Sequence, residues 1–324
     1  MTNMILQSLT WLVTAAILAA CVVLGFFVLA TRRLAREAEK RVPARGRFAS
    51  VAGNRLHYVE AGQGRPILFL HGLGGQLHHF RHTLFSRLAG DFRLVALDRP
   101  GSGYSVRAGG ATGRLGEQAA VVAAFIDEIG LERPLVVGHS LGGGVALALA
   151  LDHPDKVGGL ALLSPVTHQE TAAPPQFSAL SIRSPFKRRL LAHTTAIPAA
   201  MKHAPQTLAF VFGPQAAPND YIIEGGGILG LRPSHFEATV IDFVALEHEV
   251  ARYEARLEEI KMPVGVLFGT ADQVIRHEDH ALPLAGRIRD FELELLEGVG
   301  HMPQFAAPDR VEAFVRRMAE KAFR

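Results

Sequence analysis

One serine sits between glycines two residues to either side, in Gly138-His139-Ser140-Leu141-Gly142, and joins an apolar run at 135–137 to an Ala- and Leu-rich stretch at 141–151. The run reads as a strand and the stretch as a helix, so the chain must pass between them through a turn too tight for bulky neighbours. The same alternation recurs on both sides. Apolar runs at 67–70, 94–97, 157–163, 264–268 and 291–295 predict further strands, and helical periodicity marks 79–89, 117–129, 237–259, 277–285 and 308–323. Continuous apolar strands separated by amphipathic helices predict an α/β fold, a mostly parallel sheet with helices on both faces. An antiparallel pair, 48–52 and 55–60, is expected to precede it, turning at Gly53-Asn54. With 48% hydrophobic and 20% charged residues, the composition is not that of a disordered, collagenous or coiled-coil chain, and a lone cysteine, Cys21, excludes an internal disulfide.

Between the strands at 157–163 and 264–268 the alternation is lost. Residues 165–232 carry many prolines, the Gly225-Gly226-Gly227 run, and apolar clusters that include Leu180, Leu190-Leu191 and Phe210-Val211-Phe212. That is too long for a loop without structure of its own. A helical cap or lid over the carboxyl edge of the sheet is expected, at about 165–236. Arg183, Lys187, Arg188, Arg189, Lys202 and Arg232 there oppose only Glu170, Asp220 and Glu224, so the cap is basic.

The amino terminus is of another kind. Residues 1–31 contain no charged side chain, and 9–30 is dominated by Leu, Val, Ala, Ile and Phe. As a helix rising about 1.5 Å per residue this run reaches roughly 33 Å, close to the thickness of a bilayer's hydrocarbon core. Trp11, near one end, suits the interface. A cleaved secretory signal would begin with positive charge, and residues 1–10 have no Lys or Arg. Leu18-Ala19-Ala20-Cys21 resembles a bacterial lipobox, yet the apolar run continues through Phe27 where a mature lipoprotein would turn polar. An uncleaved transmembrane anchor at 1–31 is therefore preferred to a lipoprotein or a secreted form.

A basic juxtamembrane stalk follows at 32–47. Arg32, Arg33, Arg36, Lys40, Arg41, Arg45 and Arg47 face only Glu37 and Glu39, an excess larger than the whole-chain net charge of +3. The pI of about 9.2 thus belongs to the stalk, and residues 48–324, one domain, are slightly acidic. That removes the case for a nucleic-acid partner. The positive flank favours a cytoplasmic location for the domain and also suits anionic headgroups.

The serine motif has the strand–turn–helix setting of a nucleophile elbow. A hydroxyl attacks well only when a base takes its proton and an acid holds that base in the useful tautomer. Downstream, Asp272 follows the strand at 264–268, and His301 lies in Gly298-Val299-Gly300-His301-Met302-Pro303 between the last strand and the terminal helix. The order Ser140, Asp272, His301 fits a catalytic triad, with Asp279 the alternative acid. Upstream, the strand at 67–70 runs into His71-Gly72-Leu73-Gly74-Gly75, whose glycines let backbone approach a ligand. The backbone N–H groups of Leu73 and Leu141 are the expected oxyanion donors, Gly74 or Gly72 being alternatives to Leu73. His71 is expected to brace the loop.

These residues resemble an α/β-hydrolase of the lid-bearing, lipase- and esterase-like kind, over about 48–324. His71-Gly72, Asp98-Arg99-Pro100-Gly101-Ser102-Gly103, Gly138 to Gly142, Asp272 and His301 stand in that family's order. The resemblance implies a Ser–His–Asp hydrolase with no cofactor, and a bracing role for Asp98. Members similar to haloalkane dehalogenases and epoxide hydrolases carry Asp at the elbow, where this chain has Ser140. Thioesterases, C–C bond hydrolases, lactonases, perhydrolases and acyltransferases share the serine arrangement, so fold alone does not choose among them.

Other site chemistries find no pattern. His277-Glu278-Asp279-His280 lacks zinc-helix spacing, His78 and His82 read as exposed or pocket-lining rather than as metal ligands, and no phosphate-loop or dinucleotide glycine motif occurs. Neither a metal nor a nucleotide cofactor is expected. Gly72, Gly74 and His139, together with Phe177, Phe210 and Phe212 of the cap, are expected to line the substrate site, and the apolar cap favours a lipophilic small-molecule or lipid ester.

Overall fold

The computed structural model describes residues 2–169, 174–246 and 249–324. Glu170, counted with the cap's acidic residues, and positions 247–248 of the helix predicted at 237–259 lie outside the described residues.

A sheet of eight strands forms the centre: β1 (Arg47–Val51), β2 (Asn54–Ala61), β3 (Arg65–Leu70), β4 (Phe92–Leu97), β5 (Leu135–His139), β6 (Gly159–Leu163), β7 (Val264–Gly269) and β8 (Phe291–Leu296). Their spatial order is β1-β2-β4-β3-β5-β6-β7-β8. The first two junctions, β1 to β2 and β2 to β4, are antiparallel, and all later ones are parallel. The expected α/β architecture is the one present.

The helices are α1 (Thr2–Arg41), α2 (His78–Leu88), α3 (Leu115–Glu128), α4 (Leu141–Asp152), α5 (Pro185–Ala192), α6 (Ala196–Phe212), α7 (Pro233–Leu246), α8 (Val250–Glu254), α9 (His277–His280), α10 (Pro303–Ala306) and α11 (Pro308–Ala322). Alternation along the strands sorts them into two layers. Leu68, Leu70 and Val136 point into one core with Val122, Phe125 and Val145 of α3 and α4. Ile67, Phe69 and Val137 point into the other with Leu84, Phe314 and Met318 of α2 and α11. Both faces are thus buried, which is why these strands read as unbroken apolar runs.

Three local readings change. The hairpin turns at Ala52-Gly53, both at positive φ (48° and 74°), and Asn54 instead opens β2 opposite Val51; the Asn54 amide reaches back to the Ala52 carbonyl at 3.0 Å and so braces the turn from within the strand. The helix predicted at 237–259 is divided into α7, α8 and a turn at Leu257–Glu259. Buried Val250, Tyr253 and Leu257 join the core with α4, whereas α7 packs on α5 in the cap, and one straight rod cannot serve both. The helix predicted at 277–285 stops at His280, because Pro283 has no N–H for a continuing ladder.

Among the described residues, the chain between β6 and β7 forms helices α5, α6, α7 and α8 with three short turns, Pro175–Leu180, Gly227–Leu231 and Leu257–Glu259. The helix α1 is long and apolar enough to cross a membrane, and its apolar side chains stand exposed, Trp11 at 74% and Phe26 at 66% among them.

Candidate active site

Ser140 lies at the junction of β5 and α4 with φ 52° and ψ −120°, a conformation that a residue with a Cβ seldom adopts. The surroundings enforce it. Its N–H donates to the Leu163 carbonyl at 3.0 Å, and its own carbonyl accepts from Gly143 at 2.9 Å and Val166 at 3.0 Å. A Cβ on Gly138 would stand 2.6 Å from the Gly142 oxygen, and one on Gly142 would overlap the Leu70 carbonyl. The glycines around the serine are thus required by space, in the sense the motif suggested.

Asp272 leaves the carboxyl end of β7 and His301 follows β8. The structure joins them: Nδ1 of His301 lies 2.7 Å from Oδ2 of Asp272, and the two side chains are 6% and 1% exposed. Oδ1 accepts from the backbone N–H of Val274 at 2.8 Å and of Ile275 at 3.1 Å. A carboxylate held this way only accepts, so Nδ1 carries the hydrogen and Nε2 presents its lone pair. Asp279 is elsewhere, exposed and 3.5 Å from Arg276. Two contacts fix the His301 loop from outside. The cap residue Gln215 accepts from Gly300 N–H at 2.9 Å and donates to the Gly298 carbonyl at 2.7 Å. Nε2–H of His139 donates to the His301 carbonyl at 2.8 Å, with the two rings 4.9 Å apart.

The loop after β3 is held by a buried guanidinium. Arg99, fully buried, donates from Nε to the His71 carbonyl at 2.8 Å and from Nη2 to the Gly72 carbonyl at 3.0 Å. Its Nη1 meets Asp242 of α7 at 2.8 Å and also Gln118. His71 accepts the Arg99 N–H at Nε2 and donates from Nδ1 to the Gly72 carbonyl, which makes it the brace expected. In a trans peptide the C=O and the following N–H point oppositely, so Leu73 N–H is turned away from Arg99. Gly72 itself backs onto Ser140: an added Cβ would be 3.0 Å from the serine Cβ. Leu141 N–H opens α4, where no intrahelical acceptor exists. Gly74, at φ 61°, lies out beside Thr239, and its carbonyl meets His235 at 3.0 Å. Asp98 gathers Leu77 N–H, Tyr104 N–H and His57 Nδ1 at 2.7–2.9 Å, a bracing carboxylate among loops.

The aromatic residues of the cap separate into two groups. Phe177 packs on Phe210 and Phe243 at 5.8 and 5.9 Å, against the main core. Phe212 instead joins Tyr221, Phe305 and Met302, the residue after the histidine. Sequence reasoning missed Tyr221, Phe305, His79, Gln215, Asp242 and the role of Arg99. Only Arg99 carried a signal, its place beside Asp98.

Burial disfavours the charged form of several buried histidines around the site. It holds His139 and His71 well below the ordinary imidazole range, His139 further so because a charge on His301 would repel its own. Burial pushes His79 down to about 3 and Tyr221 up to about 12, and their Nε2 and hydroxyl are 3.3 Å apart. His78 is buried, His82 pairs with Asp220 at 3.2 Å, and among the described residues no group of His, Cys, Asp or Glu is arranged to hold a metal.

Comparison with known proteins places this geometry. Residues 65–308 match the family model described as the alpha/beta hydrolase fold. The chain belongs to that family. Relatives that match most of the chain are hydrolases, which supports hydrolase chemistry. The chain is 28% identical over 278 residues to haloalkane dehalogenase 2 of Mycobacterium tuberculosis, covering 84% of this chain and 94% of that one. It is 46% identical over 130 residues to the dihydrolipoyllysine-residue acetyltransferase component of the acetoin cleaving system of Cupriavidus necator, but this spans only 34% of that protein. Among solved structures, a bacterial membrane phospholipase A superposes with a TM-score of 0.67 at 23% identity, over 99% of each chain, a likeness of fold.

Proposed function

We propose that the chain is a membrane-anchored serine hydrolase of carboxylic esters with lipophilic acyl groups, acting through Ser140, His301 and Asp272. The observation that carries this reading is the 2.7 Å bond from His301 Nδ1 to a buried, doubly hydrogen-bonded Asp272, at the mouth of the sheet that also presents Ser140. The dehalogenase chemistry of the full-length relative is not carried over, because Ser140 occupies the elbow.

The steps follow from the groups present. Nε2 of His301 takes the proton of the Ser140 hydroxyl as Oγ bonds to the ester carbonyl carbon. The carbonyl electron pair moves to oxygen, where Leu73 and Leu141 N–H groups stabilise the oxyanion. Collapse of that intermediate breaks the C–O bond to the alcohol, which leaves with the proton from His301. Water then repeats the sequence on the acyl-serine and releases the acid. Ser140 at 7% and His301 at 4% exposure keep bulk water from competing for these hydrogen bonds. The apolar cluster of Phe212, Tyr221, Phe305 and Met302 beside His301 favours the acyl chain.

The apolar run of α1 and the arginines behind it support a membrane location with the domain on the cytoplasmic side. A panel of esters from acetyl to palmitoyl tests the substrate class. Turnover is expected to favour medium or long chains; equal or greater turnover of acetyl esters would overturn the lipophilic part of the reading.

A further inference from the structure

The helix α1 continues past its apolar run to Arg41 and lays Thr31 and Ala38 on one helical face against the domain, with Val42 just beyond its end also buried. Ala38 and Val42 pack with Ile228 and Leu229, and Glu39 pairs with Arg232 at 2.8 Å. Thr31, the first residue after the run, is buried, and its hydroxyl donates to the Thr194 carbonyl at 2.6 Å. Thr194 is in the corner that joins α5 to α6. The level at which the apolar run leaves the domain is therefore the level of that corner.

Two features mark the helices on either side of it. Phe186, Leu190 and Met201 are 76%, 43% and 50% exposed, and Phe186 and Leu190 lie one turn apart on the same face of α5. The sequence from 174 to 219 also holds Arg183, Lys187, Arg188, Arg189 and Lys202 without a single Asp or Glu, in a domain otherwise slightly acidic. Apolar side chains set among exposed cations such as Lys187, Arg189 and Lys202 are the composition of an interfacial surface.

We propose that the α5–α6 face of the cap docks on the bilayer that α1 enters, with Phe186 and Leu190 in the interfacial layer and Lys187, Arg189 and Lys202 at anionic lipid phosphates. This rests on α1 being a membrane anchor, and the experiment reads the two separately. The chain has a single tryptophan, Trp11, within the apolar run. The full chain is reconstituted in vesicles of phosphatidylcholine and phosphatidylglycerol, with lipids brominated along the acyl chain as quenchers. Native Trp11 reports the anchor. In a Trp11→Phe background, Phe186→Trp or Leu190→Trp reports the cap, and Val106→Trp, on the exposed body of the domain, is the control. Docking predicts at least twofold quenching at 186 or 190, none at 106, and loss of the cap signal when Lys187, Arg189 and Lys202 are changed to Glu. Quenching of Trp11 with none at 186 and 190, or equal quenching at 106, overturns the docking while leaving the anchor intact. Absence of quenching at Trp11 overturns the anchor, and the docking with it.

Discussion

His139 donates from Nε2 to the carbonyl oxygen of His301 at 2.8 Å, so the residue beside Ser140 holds the backbone of the histidine proposed as its base. The ring is buried and neutral, and its other nitrogen, Nδ1, has no partner. That single bond ties the elbow to a loop from the far end of the chain. Replacing the ring by one that cannot donate leaves a buried carbonyl unpaired, at about 1–3 kcal/mol. His139→Phe is expected to lower kcat about tenfold or more, with KM little changed and the circular dichroism of the native fold retained. An unchanged kcat in a folded variant would show that the bond does not position His301.

Asp272 fixes the tautomer of His301, and an amide in its place can present N–H toward Nδ1 instead. Asp272→Asn is expected to lower kcat by about 10⁴ without unfolding the chain. A loss smaller than tenfold would assign the orienting role elsewhere.

The Arg99–Asp242 pair joins the cap helix α7 to the loop that offers Leu73 N–H, with both side chains buried. Removing one partner leaves the other charge uncompensated, at a cost of about 3–5 kcal/mol. Asp242→Leu is expected to lower the unfolding temperature sharply. Asp242 also pairs with Arg107, so adding Arg99→Met should restore only part of that stability, and little activity, since the His71 and Gly72 carbonyls would then lack their donors. Recovery of activity along with stability would show that Arg99 holds the fold and not the loop.

Burial depresses His78 to about 4 and His79 to about 3, and it lowers His71, His139 and His235 as well. The unfolded chain protonates these rings near 6.5. Their contribution to stability is therefore complete above that pH and is lost as pH falls from about 6.5 toward the folded values. The unfolding temperature in detergent should fall steadily from pH 7 to pH 5, and His79→Phe should make the fall shallower. An identical slope in the variant would remove His79 from the linkage.

The sheet and the tight turn at Ser140 were legible because both rest on local pattern. Apolar runs such as 264–268 are strands because both faces of the sheet are covered, and the glycines around Ser140 announce a turn that only small residues permit. What was not legible depends on contacts between distant segments. Gln215 holds the loop at 298–300, and Asp242 answers Arg99, through cap geometry that no spacing encodes. The helix predicted at 237–259 shows the same limit: periodicity located apolar positions but not that the first half faces the cap and the second the core. The cap aromatics were found by composition, yet their division between Phe177–Phe210 and Phe212–Tyr221 follows from folding alone.

The central claim is that Ser140 is a nucleophile activated by His301, and a fluorophosphonate probe reads this most directly. Incubation of the full chain in detergent, followed by intact-mass and peptide analysis, should show one adduct on Ser140, absent in Ser140→Ala and formed far more slowly in Asp272→Asn. A folded protein that takes no label, or that is labelled equally after Ser140→Ala, would contradict it.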